Sequence, residues 1–278
     1  MTRLPQSKII EELLELIHKE VDTSKINVID VAIGVFYTGV MLDTGHGGVA
    51  FTPIRDIPDA VCCPRSYGKM PRSGYLSEQP FENILDAATD PGPLKSAVGV
   101  AAINAVSQQI LFGNGKYQIT YDADPLYSVD LQSTDVVAMI GAFTPYIKYL
   151  VGKVRELFVI ERNPSAASGD IPIYTEEKGK EQIPNADVVV VSGAAIVNHT
   201  IDEILSMASR AREIILSGAT SSMVPDPLFK RGVTSVGGVR IDDANQMLRV
   251  IKQAGSGYSL LKECATKTLL RYPNSRVR

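Results

Sequence analysis

With 278 residues, 45% of them hydrophobic and 21% charged, the chain is long enough for one large or two ordinary folded units and too apolar to be disordered. A formal net charge of −3 excludes a global basic field that would draw it to nucleic acid or an anionic membrane. The three cysteines, two of them adjacent, make no disulfide framework; with no signal-peptide pattern and no apolar run near the roughly 18 residues of a spanning helix, a reducing cytoplasm is expected.

Ile9, Ile10, Leu13, Leu14 and Ile17 recur at helical spacing with Glu11, Glu12 and Glu15 between them, predicting a helix over residues 4–20. INVIDVAIG and VFYTGVMLD then alternate as strands do, TGHGG (44–48) is a turn, and VAFTPI is a further strand, giving a small antiparallel unit. Residues 55–80 lack periodicity and carry Arg65, Lys69 and Arg72, which reads either as a solvated loop or as a cationic lid over an anionic ligand. Two helices follow near 79–88 and 94–111. The second is built from small apolar residues and holds one amide, Asn104, which either bonds backbone or faces a cleft between the two halves. The polar stretch from Gly113 to Asp124 marks a boundary, giving units 1–122 and 123–278.

Beyond it the pattern changes. DVVAMIGAF, ELFVIERN, DVVVVSG, EIILSGAT and VTSVGGV are short β-rich runs, and helical segments separate most of them. Alternating β and α with near-continuous apolar strands predicts a doubly wound parallel sheet, Rossmann-like, covered on both faces. Ligands of such sheets sit beyond the carboxyl ends of the strands. That rule selects Gly141, Phe143, Thr144 and Pro145 after the first strand, Glu161 after the second, Ser192 and Gly193 after the valine run, and Thr220 after the next.

The spacing from Gly141 to Glu161 matches that between a phosphate-turn glycine and an acidic ribose acceptor. GAFTPY, however, keeps only the first glycine of G-x-G-x-x-G. Phe143 and Pro145 would obstruct a pyrophosphate, so the pattern argues against a nicotinamide dinucleotide and leaves room for a nucleoside or smaller ligand. A surface ion pair is the plainer role for Glu161. Thr200 and Glu203 fit a capping box, while Asn198 and His199 just before them are ligand candidates at a helix start.

No C-x-x-C or H-E-x-x-H occurs. A composite site from His46, Cys62 or Cys63, and His199 would suit a soft or borderline metal, if the fold brought them together. Cys264 reads as a small packing residue.

VAIGVFYTGVMLDTGHGGVAFTPI and GVAAINAVSQ in the first half, with IGAFTPYIKYL, ADVVVVSGAAIVNHTIDEIL and PDPLFKRGVTSVGGVRIDD in the second, resemble the family called “Putative heavy-metal chelation” over nearly the whole chain. The resemblance implies an α/β fold in which a small α+β enolase N-terminal-like domain precedes a Rossmann-like domain, with the site between them. It implies a region rather than a ligand set: Gly141–Pro145, Ser192–Gly193, Asn198–Thr200 and the helix of Asn104. Two functions are carried forward. One is a binding protein for a heavy or transition metal ion or a metal chelate, with scarce Cys and His favouring the chelate. The other is an enzyme acting on a nucleoside or small anionic substrate. The partner in both is a small molecule, and a homodimer is compatible with the small-residue helix.

Overall fold

The computed structural model describes residues 7–56, 70, 72–113, 115–162 and 173–273. The first helix, α1 (Lys8–Glu20), starts where the Ser7 hydroxyl accepts the Ile10 N–H, and it buries the five apolar positions named above while its glutamates stay outward. Strands β1 (Val28–Ile33), β2 (Tyr37–Leu42) and β3 (Gly47–Phe51) form an antiparallel sheet in that order. A short helix α2 (Phe81–Asp86) leads to the long helix α3 (Pro93–Gly113).

Helix α3 is buried without a break from Ser96 to Gln108, so its apolar residues need no single face. It has the length and apolarity to cross a membrane, contrary to the expectation from sequence. Its burial within the fold accounts for both. Small residues let other backbone approach: a Cβ on Gly48 would strike the backbone of Ala101 and Ala105, and one on Gly99 would strike that of Ala88. Its few polar side chains tie the helix to the second half of the chain. Ser96 Oγ donates to Val197 O at 2.9 Å, Ser107 Oγ accepts from Val224 N at 3.2 Å, and Gln108 joins Gly47 O to Ile241 N.

The large sheet comprises β4 (Ile119–Tyr121), β5 (Val136–Ile140), β6 (Glu156–Ile160), β7 (Ile173–Tyr174), β8 (Val188–Ser192), β9 (Glu213–Ser217), β10 (Ser235–Ile241) and β11 (Ala265–Arg271). Its spatial order is β4-β11-β10-β9-β8-β5-β6-β7. From β10 to β7 every pairing is parallel, whereas β11 runs antiparallel to β10 and β4 antiparallel to β11. The antiparallel edge was not read from the sequence, and β4 enters this sheet although it precedes residue 123. The fold is thus mixed α/β, a small antiparallel sheet beside a larger, mostly parallel one.

The run of valines in β8 is explained by this position. Val189 and Val191 face the core shared with α1 and α3; Val188 and Val190 face the opposite core with Met139 and Leu150. Burying one such side chain contributes about 1.5–3 kcal/mol. Helix α4 (Thr144–Leu150) covers that second face. The remaining helices are α5 (Glu176–Gly179), α6 (Ala194–Val197), α7 (Ile201–Met207), α8 (Asp226–Phe229), α9 (Ala244–Lys252) and α10 (Gly257–Glu263). Cys264 caps α10, buried as expected, and burial pushes its thiol up to about 11.

Candidate functional site

Strands β5, β8 and β9 are neighbours, and each is followed by the same two residues: Gly141-Ala142, Gly193-Ala194 and Gly218-Ala219. Each glycine makes the last rung to the next strand, donating to Ile160 O, Ser217 O and Gly237 O at 2.9, 3.0 and 3.0 Å, before the chain leaves the sheet. Gly141 and Gly218 do so at φ 94° and 118°, where a side chain would be strained. At Gly193 the constraint is space: a Cβ there would sit 2.5 Å from Ser221 Oγ. The chain winds outward from β5 through β6 to β7 and returns beyond β5 for β8, β9 and β10. The gap between β5 and β8 is therefore the switch point at which an open sheet leaves a crevice.

A pocket of about 840 Å³ lies there, of a size suited to a small organic molecule. The strand-end glycines and alanines border it together with Ile140, Ile160 and Phe143. The small sheet supplies another side through Val35, Phe36, Tyr37, Phe51, Pro53 and Ile54. Among the described residues, charged side chains at the pocket carry three of each sign: Asp56, Glu161 and Glu176 with Arg55, Arg162 and Lys180. Arg162 spans the two halves, donating to both Asp56 oxygens at 3.2 Å and to Glu176 at 3.1 Å. Lys180 holds Glu203 at 2.8 Å.

Of the residues singled out in the sequence, Gly141, Phe143, Glu161, Ser192, Gly193, Asn198, Thr200 and Thr220 all border this pocket. Several already have structural partners. Glu161 Oε2 accepts the Ala142 N–H at 3.0 Å across β5 and β6. Ser192 Oγ accepts the Ala194 N–H at 3.3 Å. Thr220 Oγ1 accepts the Phe51 N–H at 2.9 Å, joining the small sheet to the end of β9. Thr200 forms no capping box. Its backbone, at φ −101° and ψ −7°, lacks the extended geometry that turns a cap hydroxyl inward; its hydroxyl donates to Ala195 O, and Glu203 pairs with Lys180 instead.

Others lie elsewhere. Asn104 is fully buried behind the pocket and donates to Val49 O at 2.7 Å and Thr220 O at 2.9 Å, which makes it a clamp between β3 and the strand-end turn. Thr144 and Pro145 start α4, Pro145 in the first turn where its missing N–H costs nothing, and neither borders the pocket. His199, at φ 56°, shares a hydrogen bond with Asp90 O at 3.1 Å beside the start of α3, and burial holds its imidazole below the usual range. His46 bonds Thr44 Oγ1 at 3.0 Å in the β2–β3 turn, next to Gly47, which Gln108 holds near the other end of α3. The sixteen residues from Pro93 to Gln108 separate the two histidines' anchor points by roughly 20 Å of helix. The composite metal site is therefore not assembled from His46 and His199. Cys62, Cys63, Arg65 and Lys69 lie outside the described residues. Among the described residues no group of three His, Cys, Asp or Glu is placed to hold an ion.

The sequence reading missed the hairpin side of the pocket. Its signal was present: Val35 and Phe36, bulky and apolar, occupy a turn where polar residues are usual, and they are 45% and 47% exposed.

A family model described as “Putative heavy-metal chelation” matches residues 124–270, and a second model of the same description matches residues 14–107. An uncharacterized protein of Methanocaldococcus jannaschii is 28% identical over 273 residues, spanning 93% of this chain and 96% of that protein. Two solved structures of proteins of unknown function share the fold. One, from Pyrococcus horikoshii, has a TM-score of 0.76 at 24% identity; the other, from Desulfitobacterium hafniense, has a TM-score of 0.72 at 19% identity. Each comparison covers 95% of this chain and 98% of the other.

Proposed function

The chain belongs to the “Putative heavy-metal chelation” family, and from that premise we propose that its pocket binds a metal as a complex with a small organic chelator rather than as a bare ion. The observation that carries this is the donor chemistry at the pocket. Among the described residues the acidic side chains there are Asp56, Glu161 and Glu176, and each is engaged within the protein: Asp56 and Glu176 with Arg162, Glu161 with the Ala142 N–H. A bare ion needs a set of deprotonated ligands converging on one point. A chelate brings its own donors and asks the protein only for shape, apolar surface and balanced charge. The apolar hairpin residues, the small strand-end residues and the paired charges suit that task.

Native mass spectrometry of protein purified without chelator tests it. A mass excess of metal plus organic ligand, lost together on denaturation, is the expected result. A stoichiometric bare ion would overturn the chelate reading. A second reading rests on Glu161, which stands just past β6, next to the central β5, where nucleotide-binding sheets place a ribose acceptor. It makes the protein an enzyme on a nucleoside. It expects a metal-free nucleoside adduct in the same spectrum and a loss of that adduct in Glu161→Gln, which keeps an acceptor for Ala142.

A further inference from the structure

Three adjacent strands end at the pocket in Gly141-Ala142, Gly193-Ala194 and Gly218-Ala219, so no side chain longer than a methyl rises from those six positions. At Gly218 the Cβ direction meets nothing within 4 Å, whereas at Gly141 and Gly193 it meets Ser192 at 2.9 Å and Ser221 at 2.5 Å, so the space above the turns opens at the β9 end. The three turns span two inter-strand spacings, roughly 10 Å, the extent of a fused two- or three-ring system, with only the short side chains of Ser192 and Thr220 between them. The hairpin that borders the same pocket presents two aromatic rings, Phe36 and Phe51, and both remain 47% and 36% exposed. Phe51 is fixed at the end of β9 by its N–H bond to Thr220. Exposed aromatic rings beside a surface without side chains form a slot for a flat apolar body. At the β6 side the slot ends in Glu161, Arg162 and Lys180; Arg162 is paired with Asp56 and Glu176 and Lys180 with Glu203, and these solvent-exposed pairs are weak enough to share their cations with an anionic substituent.

Resting on the chelate reading, we infer that the pocket selects a planar aromatic chelator: a fused-ring heterocycle lying on the strand-end glycines against Phe36 and Phe51, with an anionic substituent directed toward Arg162 and Lys180. An aliphatic chelator of equal charge cannot use the flat surface or the aromatic rings.

The experiment compares the 1:1 zinc complex of hydroxyquinolinesulfonate, flat and net neutral with a free anionic sulfonate, with zinc iminodiacetate, aliphatic and also net neutral, by calorimetry. Hydroxyquinolinesulfonate without zinc is the third probe. The chain has no tryptophan, so fluorescence of the quinoline complex gives an independent titration. The flat complex is expected to bind at least about tenfold more tightly than the aliphatic one. Phe36→Ser should weaken the flat complex by about fivefold or more and leave the aliphatic one unchanged. Ala194→Leu, which puts a side chain on the bare surface, should act in the same direction. Because Phe36 is exposed, its substitution decides the matter if Ala194→Leu fails to fold. Equal affinity for the two zinc complexes would overturn the inference while leaving the chelate reading intact. Equal affinity for the quinoline with and without zinc would support the planar slot and overturn the chelate reading. No binding of either flat probe at millimolar concentration would overturn the inference.

Discussion

Asn104→Ala separates a structural role from a ligand role. The wild-type amide donates to Val49 O and Thr220 O, 2.7 and 2.9 Å away, in a site with no solvent access. Each neutral hydrogen bond contributes about 1 kcal/mol net, and each carbonyl left buried without its donor costs about 1–3 kcal/mol. Asn104 Oδ1 has no partner among the described residues, so removing it relieves one unsatisfied acceptor and offsets part of that loss. The balance is a destabilisation of about 2–3 kcal/mol, or roughly 4–10 °C in Tm for a chain of this size. Urea denaturation with the m-value held as a check, together with thermal unfolding, measures it. Asn104→Asp should be worse, since it aims a carboxylate at two carbonyl oxygens in a dry site. A loss below about 0.5 kcal/mol in Asn104→Ala would refute the clamp. So would a variant of full stability that no longer binds ligand, because Asn104 would then belong to the pocket rather than behind it.

Gly48→Ala should leave little folded protein. Its Cβ would enter the backbone of α3 at Ala101 and Ala105, and neither helix nor sheet can yield cheaply; soluble yield and circular dichroism read this out, and a native-like variant would refute the close approach. His199 titrates below its ordinary range because burial disfavours its charged form, with Asp90 and Asp202 opposing. The unfolded chain therefore binds the extra proton first. The contribution is fully present above the unfolded value near pH 6.5 and is lost as pH falls through the folded one. His199→Asn should flatten the decline in urea midpoint as pH falls below about 6.5, only in part because burial also lowers His46, and parallel profiles for the two proteins would count against it. Arg162→Ala breaks ion pairs that are 46% exposed on the arginine side, so it should cost less than about 1 kcal/mol of stability. It should instead slow association of an anionic chelate and weaken the salt dependence of that rate in stopped-flow traces.

Much of the large sheet was legible because its signals are local. Four consecutive valines flanked by turn residues specify a doubly covered strand wherever they are placed, and glycine and small residues at strand ends follow from the turn itself. Knowing that ligands gather at such strand ends was enough to name six residues that border the pocket, and the helix start after β8 added Asn198 and Thr200. Ala265–Arg271 was missed because a short antiparallel strand and the tail of a helix differ little over seven residues.

What only the tertiary structure decided is which distant segments meet. Asn104 looked equally able to face a cleft or to bond backbone, and its role was set by β3 and residue 220 arriving on the same side of α3. His46 and His199 are alike in sequence as metal candidates, yet they anchor near opposite ends of one rigid helix. Phe51 looks like an ordinary strand-edge residue until Thr220 holds the hairpin against the end of β9. A sequence states the periodicity and turn chemistry of each segment, because those depend on neighbours along the chain. It leaves open the partners of a buried amide or an imidazole, because those hydrogen bonds close over a hundred residues or more and exist only once the two sheets have packed around α3.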